Sequence, residues 1–158
     1  AEENIYLTVL VEDMVIAIDE VKSSHHLVLN PDVTYSYPIY ACASGKIFLS
    51  ALSPEEREEV ARKIDYNRIA ERTIGDPETL LNAVEETKRN GFATEIMEFS
   101  DDLNSVAAPI IDYRGKIVAT ISISGPAMRL TEERIHSLVE PLTGTAATIS
   151  RRLGQGSE

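Results

Sequence analysis

The stretch Lys116-Ile-Val-Ala-Thr-Ile-Ser-Ile-Ser-Gly-Pro126 decides the fold. Side chains of a strand point to opposite faces in turn, so Ile117, Ala119, Ile121 and Ile123 share one face while Val118, Thr120, Ser122 and Ser124 share the other. The first face is core. The second is neutral, small and polar, where a solvated face would carry Lys, Glu or Arg. Small hydroxyls leave room and offer donors and acceptors without charge, as a small polar pocket needs. They equally let a helix pack closely, and both readings fit this strand.

Working outward, residues 105–112 read as a second strand, joined to the first through Asp112-Tyr113-Arg114-Gly115, where glycine takes a positive φ. Residues 92–97 read as a third. Near the start, β-branched Ile5, Val9, Val11, Val15, Ile16 and Ile18 flank the acidic pair Glu12-Asp13. This predicts a hairpin turning near Asp13, because Asp tolerates a left-handed position. A short strand from His26 to Asn30 follows, ended by Asn30-Pro31-Asp32.

The middle of the chain is helical. Ala41, Ala43, Ile47, Phe48, Leu49, Ala51 and Leu52 form an apolar mass too wide for one stripe, which predicts a buried helix. Ser53-Pro54-Glu55-Glu56 is a capping box with proline at the first helical position, opening an exposed, charged helix to about Ile64. Asp76-Pro77-Glu78 repeats the signal for a helix that Asn90-Gly91 stops. Thr131-Glu132-Glu133 opens the last helix, which Pro141 and Gly144 are expected to kink or split into two abutting helices before Leu153-Gly154. Strands at both ends with helices between them, rather than strict alternation, predict an α+β fold with a mostly antiparallel sheet. An edge of that sheet near residues 5–11 is apolar enough to require covering.

Composition narrows the function. A chain of 158 residues at 43% hydrophobic supports one good core. Acidic residues outnumber basic ones 26 to 15, and a formal charge of −11 makes a poor surface for a polyanion. No apolar run approaches the roughly 18 residues of a membrane span. The single cysteine, Cys42, allows no internal disulfide, and a reducing, cytoplasmic setting follows.

Candidate chemistry is sparse. His25, His26 and His136 lack metal-ligand spacing, so a metal on His25, His26 and Cys42 would have to be assembled from loops without a motif. Cys42 reads as a buried, inert thiol. Glu95, Glu98, Asp101 and Asp102 read as a solvated acidic loop rather than paired catalytic carboxylates. The start of the helix at Cys42-Ala43-Ser44-Gly45 is a second candidate for anion binding beside the hydroxyl strand, because its free N–H groups suit a carboxylate. An ordinary helix cap reads the same way.

The order of the motifs is more specific than any one of them. Pro38-Ile-Tyr-Ala-Cys-Ala-Ser-Gly-Lys-Ile-Phe-Leu-Ser50, Arg72-Thr-Ile-Gly-Asp76, Lys88-Arg-Asn-Gly-Phe-Ala93, Val106-Ala-Ala-Pro-Ile-Ile-Asp112 and Ser122-Ile-Ser-Gly-Pro126 together resemble the effector-binding domain of the IclR family of transcription regulators. The resemblance implies a GAF-like, profilin-like α+β fold in which a curved antiparallel sheet flanked by helices holds a small-molecule pocket. Residues 1–154 would be the effector-binding domain and 155–158 a disordered tail, with the family's N-terminal winged helix-turn-helix domain outside this stretch. The effector would be a small organic acid or related metabolite. Carried onto matching positions, it would be held at Ala43 and Ser44, at Ser105, and at Ser122 and Ser124. The family's acidic residue after the Gly-aromatic pair is replaced by Ala93-Thr94, and the loop Glu98-Phe-Ser-Asp-Asp-Leu-Asn104 is about two residues longer, so Glu98 or Glu95 would supply the acid. The resemblance implies a homodimer or homotetramer, no cofactor and no catalysis, with DNA bound only through the other domain. Two other classes stay open on the residues alone: an oligomerisation domain without a ligand, and an enzyme acting on a small acid through Cys42 or Glu98.

Overall fold

A computed structural model describes residues 2–24 and 36–156. The expected strand at His26 and the turn at Pro31 lie outside the described residues. The chain opens with a hairpin, β1 (Asn4–Val11) and β2 (Met14–Val21), followed by the short β3 (Ser36–Pro38). Three helices come next: α1 (Ala43–Ser50), α2 (Pro54–Lys63) and α3 (Pro77–Asn90). Then β4 (Ala93–Ile96), β5 (Leu103–Ile111) and β6 (Ile117–Pro126) complete one six-stranded sheet, and α4 (Glu132–Arg152) closes the chain.

The sheet order is β3-β2-β1-β6-β5-β4, with every pairing antiparallel. Residues 5–11 are therefore not a sheet edge as expected. The first strand is interior, hydrogen-bonded to β2 on one side and β6 on the other. The hairpin turn falls at the expected place, but its left-handed residue is Glu12 (φ 57) rather than Asp13.

Local signals place the helix ends. Ser53 and Glu56 form the reciprocal capping box of α2, and Asp76 accepts from Thr79 N–H at the start of α3. Gly91 ends α3 in the left-handed conformation at φ 77. The start of α1 needs a glycine for a different reason: a Cβ at Gly45 would lie 1.9 Å from the Ile39 carbonyl oxygen, so the helix seats directly on the preceding backbone.

The two faces of the sheet carry different cores. On one, α4 lays Ile135, Leu142 and Ala146 against Val106, Ala108 and Ile123. On the other, α1 packs Ala43 and Ile47 against Ala93 and Ala107, with α3 behind it. The last helix is continuous over 21 residues with Pro141 inside it, not two abutting helices. Proline removes one N–H bond, but the buried stripe of α4 runs unbroken across it, and that packing outweighs the loss. A second correction concerns Ile117. The β5–β6 register slips by one residue between Ile110↔Ala119 and Ile111↔Ile117, and the slip turns Ile117 away from Ile121 and Ile123. It packs instead against Cys42, Ala43, Ile47 and Phe48 under α1.

Candidate functional site

Between α1 and the hydroxyl face of β6 lies a cavity of about 40 Å³. Five of the six residues expected to bind a ligand line it: Ala43, Ser44, Ser105, Ser122 and Ser124. They come from α1, β5 and β6, and the alternation of β6 is what aims Ser122 and Ser124 the same way. Ser122 is only 6% exposed, and among the described residues neither its hydroxyl nor that of Ser124 has a hydrogen-bond partner. These are donors and acceptors held open toward an enclosed space.

The opposite wall is the first turn of α1. Cys42 is its N-cap residue in extended conformation and makes no side-chain cap hydrogen bond, so the N–H groups of Ala43 and Ser44 at the helix start are left without a cap from it. The Ser44 hydroxyl accepts from Thr120 Oγ1 at 2.6 Å, and Thr120 and Thr8 share a further 2.6 Å bond. This buried chain of hydroxyls ties α1 to β6 and β1 and fixes the width of the cavity at that end. Cys42 also lines it, with its thiol donating to the Pro38 carbonyl at 3.6 Å. Burial pushes that thiol up to about 12, far from a reactive thiolate.

The acidic loop divides in two. Asp101 and Asp102 are exposed, as expected of a solvated loop. Glu95 and Glu98 are not. Glu95 is 1% exposed and lines the cavity; its Oε1 accepts from Glu98 N–H at 2.8 Å and Phe99 N–H at 3.1 Å, and its Oε2 from the Ser105 hydroxyl at 3.2 Å. Met97 makes this possible by taking a left-handed conformation (φ 52), which folds the following N–H groups back onto the carboxylate. Burial pushes the Glu95 carboxyl up to about 7, against the opposing pull of those three hydrogen bonds, because no cation pairs with it among the described residues.

Glu98 lies behind the wall and is not among the lining residues. It holds Lys46 Nζ at 2.7 Å, and Lys46, itself only 5% exposed, also donates to the Thr94 carbonyl at 2.8 Å. Sequence reasoning missed Lys46. A lysine in an apolar helix was the available signal, since an ammonium there must find partners. The loop also contributes Phe99, which meets Tyr37 edge-on at 5.1 Å, and both rings line the cavity. His136 is exposed on α4, while His25 and His26 lie outside the described residues. Among the described residues no three His, Cys, Asp or Glu side chains gather as a metal site.

The family model described as "Bacterial transcriptional regulator IclR C-terminal" matches residues 1–151. The chain belongs to the IclR C-terminal family. The HTH-type transcriptional regulator KdgR of Escherichia coli (strain K12) is 31% identical over 153 residues, which cover 97% of this chain and 58% of that relative. The chain thus spans little more than half the length of that regulator. The crystal structure of the C-terminal domain of E. coli KdgR superposes with a TM-score of 0.84 at 30% identity, covering 98% of this chain and 89% of that one. The inducer-binding domain of PobR from Acinetobacter, solved with 3-hydroxybenzoic acid, shares the fold at a TM-score of 0.82 and 22% identity, over 94% of this chain and 87% of that one. The fold is the GAF-like one of IclR C-terminal domains.

Proposed function

We propose that the cavity is the effector site of this IclR-family domain and that it takes a small, carboxylate-bearing metabolite. The carboxylate would accept N–H groups from Ala43 and Ser44 at the start of α1 and hydroxyl protons from Ser122 and Ser124, an anion site that needs no cation. Ser105 and Glu95 would meet the other end of the ligand. Glu98 would act through Lys46, anchoring the loop that carries Phe99. The observation that carries this reading is the pair of unpartnered serine hydroxyls facing an enclosed cavity at a helix start. The PobR domain, of the same fold, was solved with an aromatic hydroxy acid. At about 40 Å³ the cavity is far smaller than the roughly 300 Å³ at which drug-sized pockets begin. The ligand is therefore a few atoms in size, or it enters as the Tyr37–Phe99 contact parts.

In this reading residues 1–154 sense the effector and a DNA-binding domain elsewhere in the full regulator responds, in a homodimer or homotetramer working in the cytoplasm. The coupling requires that the effector prefer one conformation or assembly, since equal affinity for both shifts nothing. No helix among the described residues is long and apolar enough to cross a membrane. Calorimetric titration of this chain with a panel of small 2-oxo and hydroxy acids tests the proposal. Saturable binding by one acid that Ser124→Ala weakens supports it; binding by none overturns it.

A further inference from the structure

Among the described residues one carboxylate lines the cavity, that of Glu95, on the same sheet face as the serines proposed to hold the anion. Glu95, Ser105 and Ser124 stand in one row across β4, β5 and β6, and with Ser122 and the α1 start they line a space of about 40 Å³. A ligand carboxylate docked there brings a second negative charge into the same enclosed volume, and two carboxylates sharing such a site do not both stay ionised.

Among the described residues the surrounding groups offer Glu95 no cation. From α1, Lys46 points its ammonium at Glu98 and the Thr94 carbonyl, and Cys42 brings a neutral thiol. From the loop after β4, Glu98 adds a further negative charge beside Glu95, and that charge disfavours ionisation. From β5, Ser105 donates a hydroxyl; from β1 and β3, Tyr6 and Tyr37 line the cavity, and the Tyr6 hydroxyl accepts from Asn4 Nδ2 at 3.0 Å. Among the described residues no arginine lines this space.

We propose that Glu95 takes up one proton from solvent when a small monocarboxylate fills the cavity, so that effector binding by this domain is coupled to protonation. The inference rests on the effector reading above and adds its regulation. With its Oε1 still accepting the Glu98 and Phe99 N–H groups, the neutral acid carries its proton on Oε2 and donates to an acceptor on the ligand. The favoured ligand is thus a small acid with an adjacent carbonyl or hydroxyl oxygen. An amino acid would instead set its ammonium against an ionised Glu95 and take up nothing. Since burial already pushes Glu95 up to about 7, the proton is available near neutral pH at little cost.

Pyruvate, a three-carbon 2-oxo acid, and alanine, its amino counterpart, are the probes. Titration of each into this chain is run in phosphate and in Tris, whose different ionisation enthalpies report the protons exchanged. With pyruvate we expect uptake close to one proton at about pH 8 and little at about pH 6, with affinity falling roughly tenfold between them. Glu95→Gln is expected to bind pyruvate with no uptake and a flat pH profile. A second readout needs no variant: carbon NMR of labelled glutamate carboxyls follows Glu95 directly, and its midpoint should rise when pyruvate is added. Pyruvate binding without uptake, a midpoint that stays put, or tighter binding of alanine than of pyruvate overturns the proton coupling and leaves the effector site standing. Failure of every small acid to bind overturns both.

Discussion

The two faces of β5 and β6 are built from alternate residues of the same strands, yet they do different work. Toward α4 the strands present Val106, Ala108, Ile121 and Ile123 to an apolar helix stripe. Toward α1 they present Ser105, Thr120, Ser122 and Ser124, and beside Ser105 stands a glutamate that no cation among the described residues pairs with. The α4 face gains stability from every methyl it buries. The α1 face gives some of that up, because open hydroxyls and an uncompensated carboxyl are unfavourable until something satisfies them. The difference teaches where to look for function in an otherwise well-packed domain, since a protein tolerates such a face where a ligand completes it.

Substitutions can break or sharpen this contrast, and the largest effect is expected on the α4 face. Ile123→Ala removes a side chain only 4% exposed and should destabilise the domain by about 2–5 kcal/mol in denaturant titration, with effector affinity in the folded fraction unchanged. On the other face the sign reverses. The carboxyl of Glu95 sits above its ordinary value of 4.5, at about 7, so the folded state holds its proton more tightly than the unfolded chain does. That contribution is fully present below about pH 4.5 and is lost as pH rises through about 7. Glu95→Gln cannot ionise, so it should match the parent near pH 4 and exceed it by up to about 3 kcal/mol at about pH 8, measured by melts across pH. Ser124→Ala should leave the melt unchanged and weaken the effector roughly ten- to a hundred-fold by calorimetry, as for a lost hydrogen bond to a charged group. Ser122→Leu should fill the cavity and abolish binding while shifting stability by less than about 1 kcal/mol. A loss of the about 1–3 kcal/mol typical of an overpacked core would show instead that this face is closed and structural.

Much of this arrangement was legible before any coordinates. The capping residues Ser53 and Asp76 mark helix starts through contacts three residues away, and Gly91 marks a stop by its own backbone, so local chemistry suffices. The serines of β6 were legible for the same reason, as period-2 alternation is a property of one strand. Glu95 was not. It follows the same alternation on β4, but its burial depends on α1 and on β5, whose Ser105 it opposes in the sheet. Lys46 and Glu98 are 52 residues apart, and neither carries a mark of the other.

Sequence alone therefore determined the elements, their ends, the family and the polarity of each strand face, since all of these follow from residues within a few positions of one another or from the order of short motifs. Tertiary structure alone decided which face of the sheet each side chain reached at the β5–β6 register slip, why Pro141 does not split α4, and that one glutamate of an acidic loop lies buried in a cavity with no cation among the described residues. Those outcomes depend on registers and burial set by segments distant in the chain, where the free energy of packing overrides what any local stretch prefers.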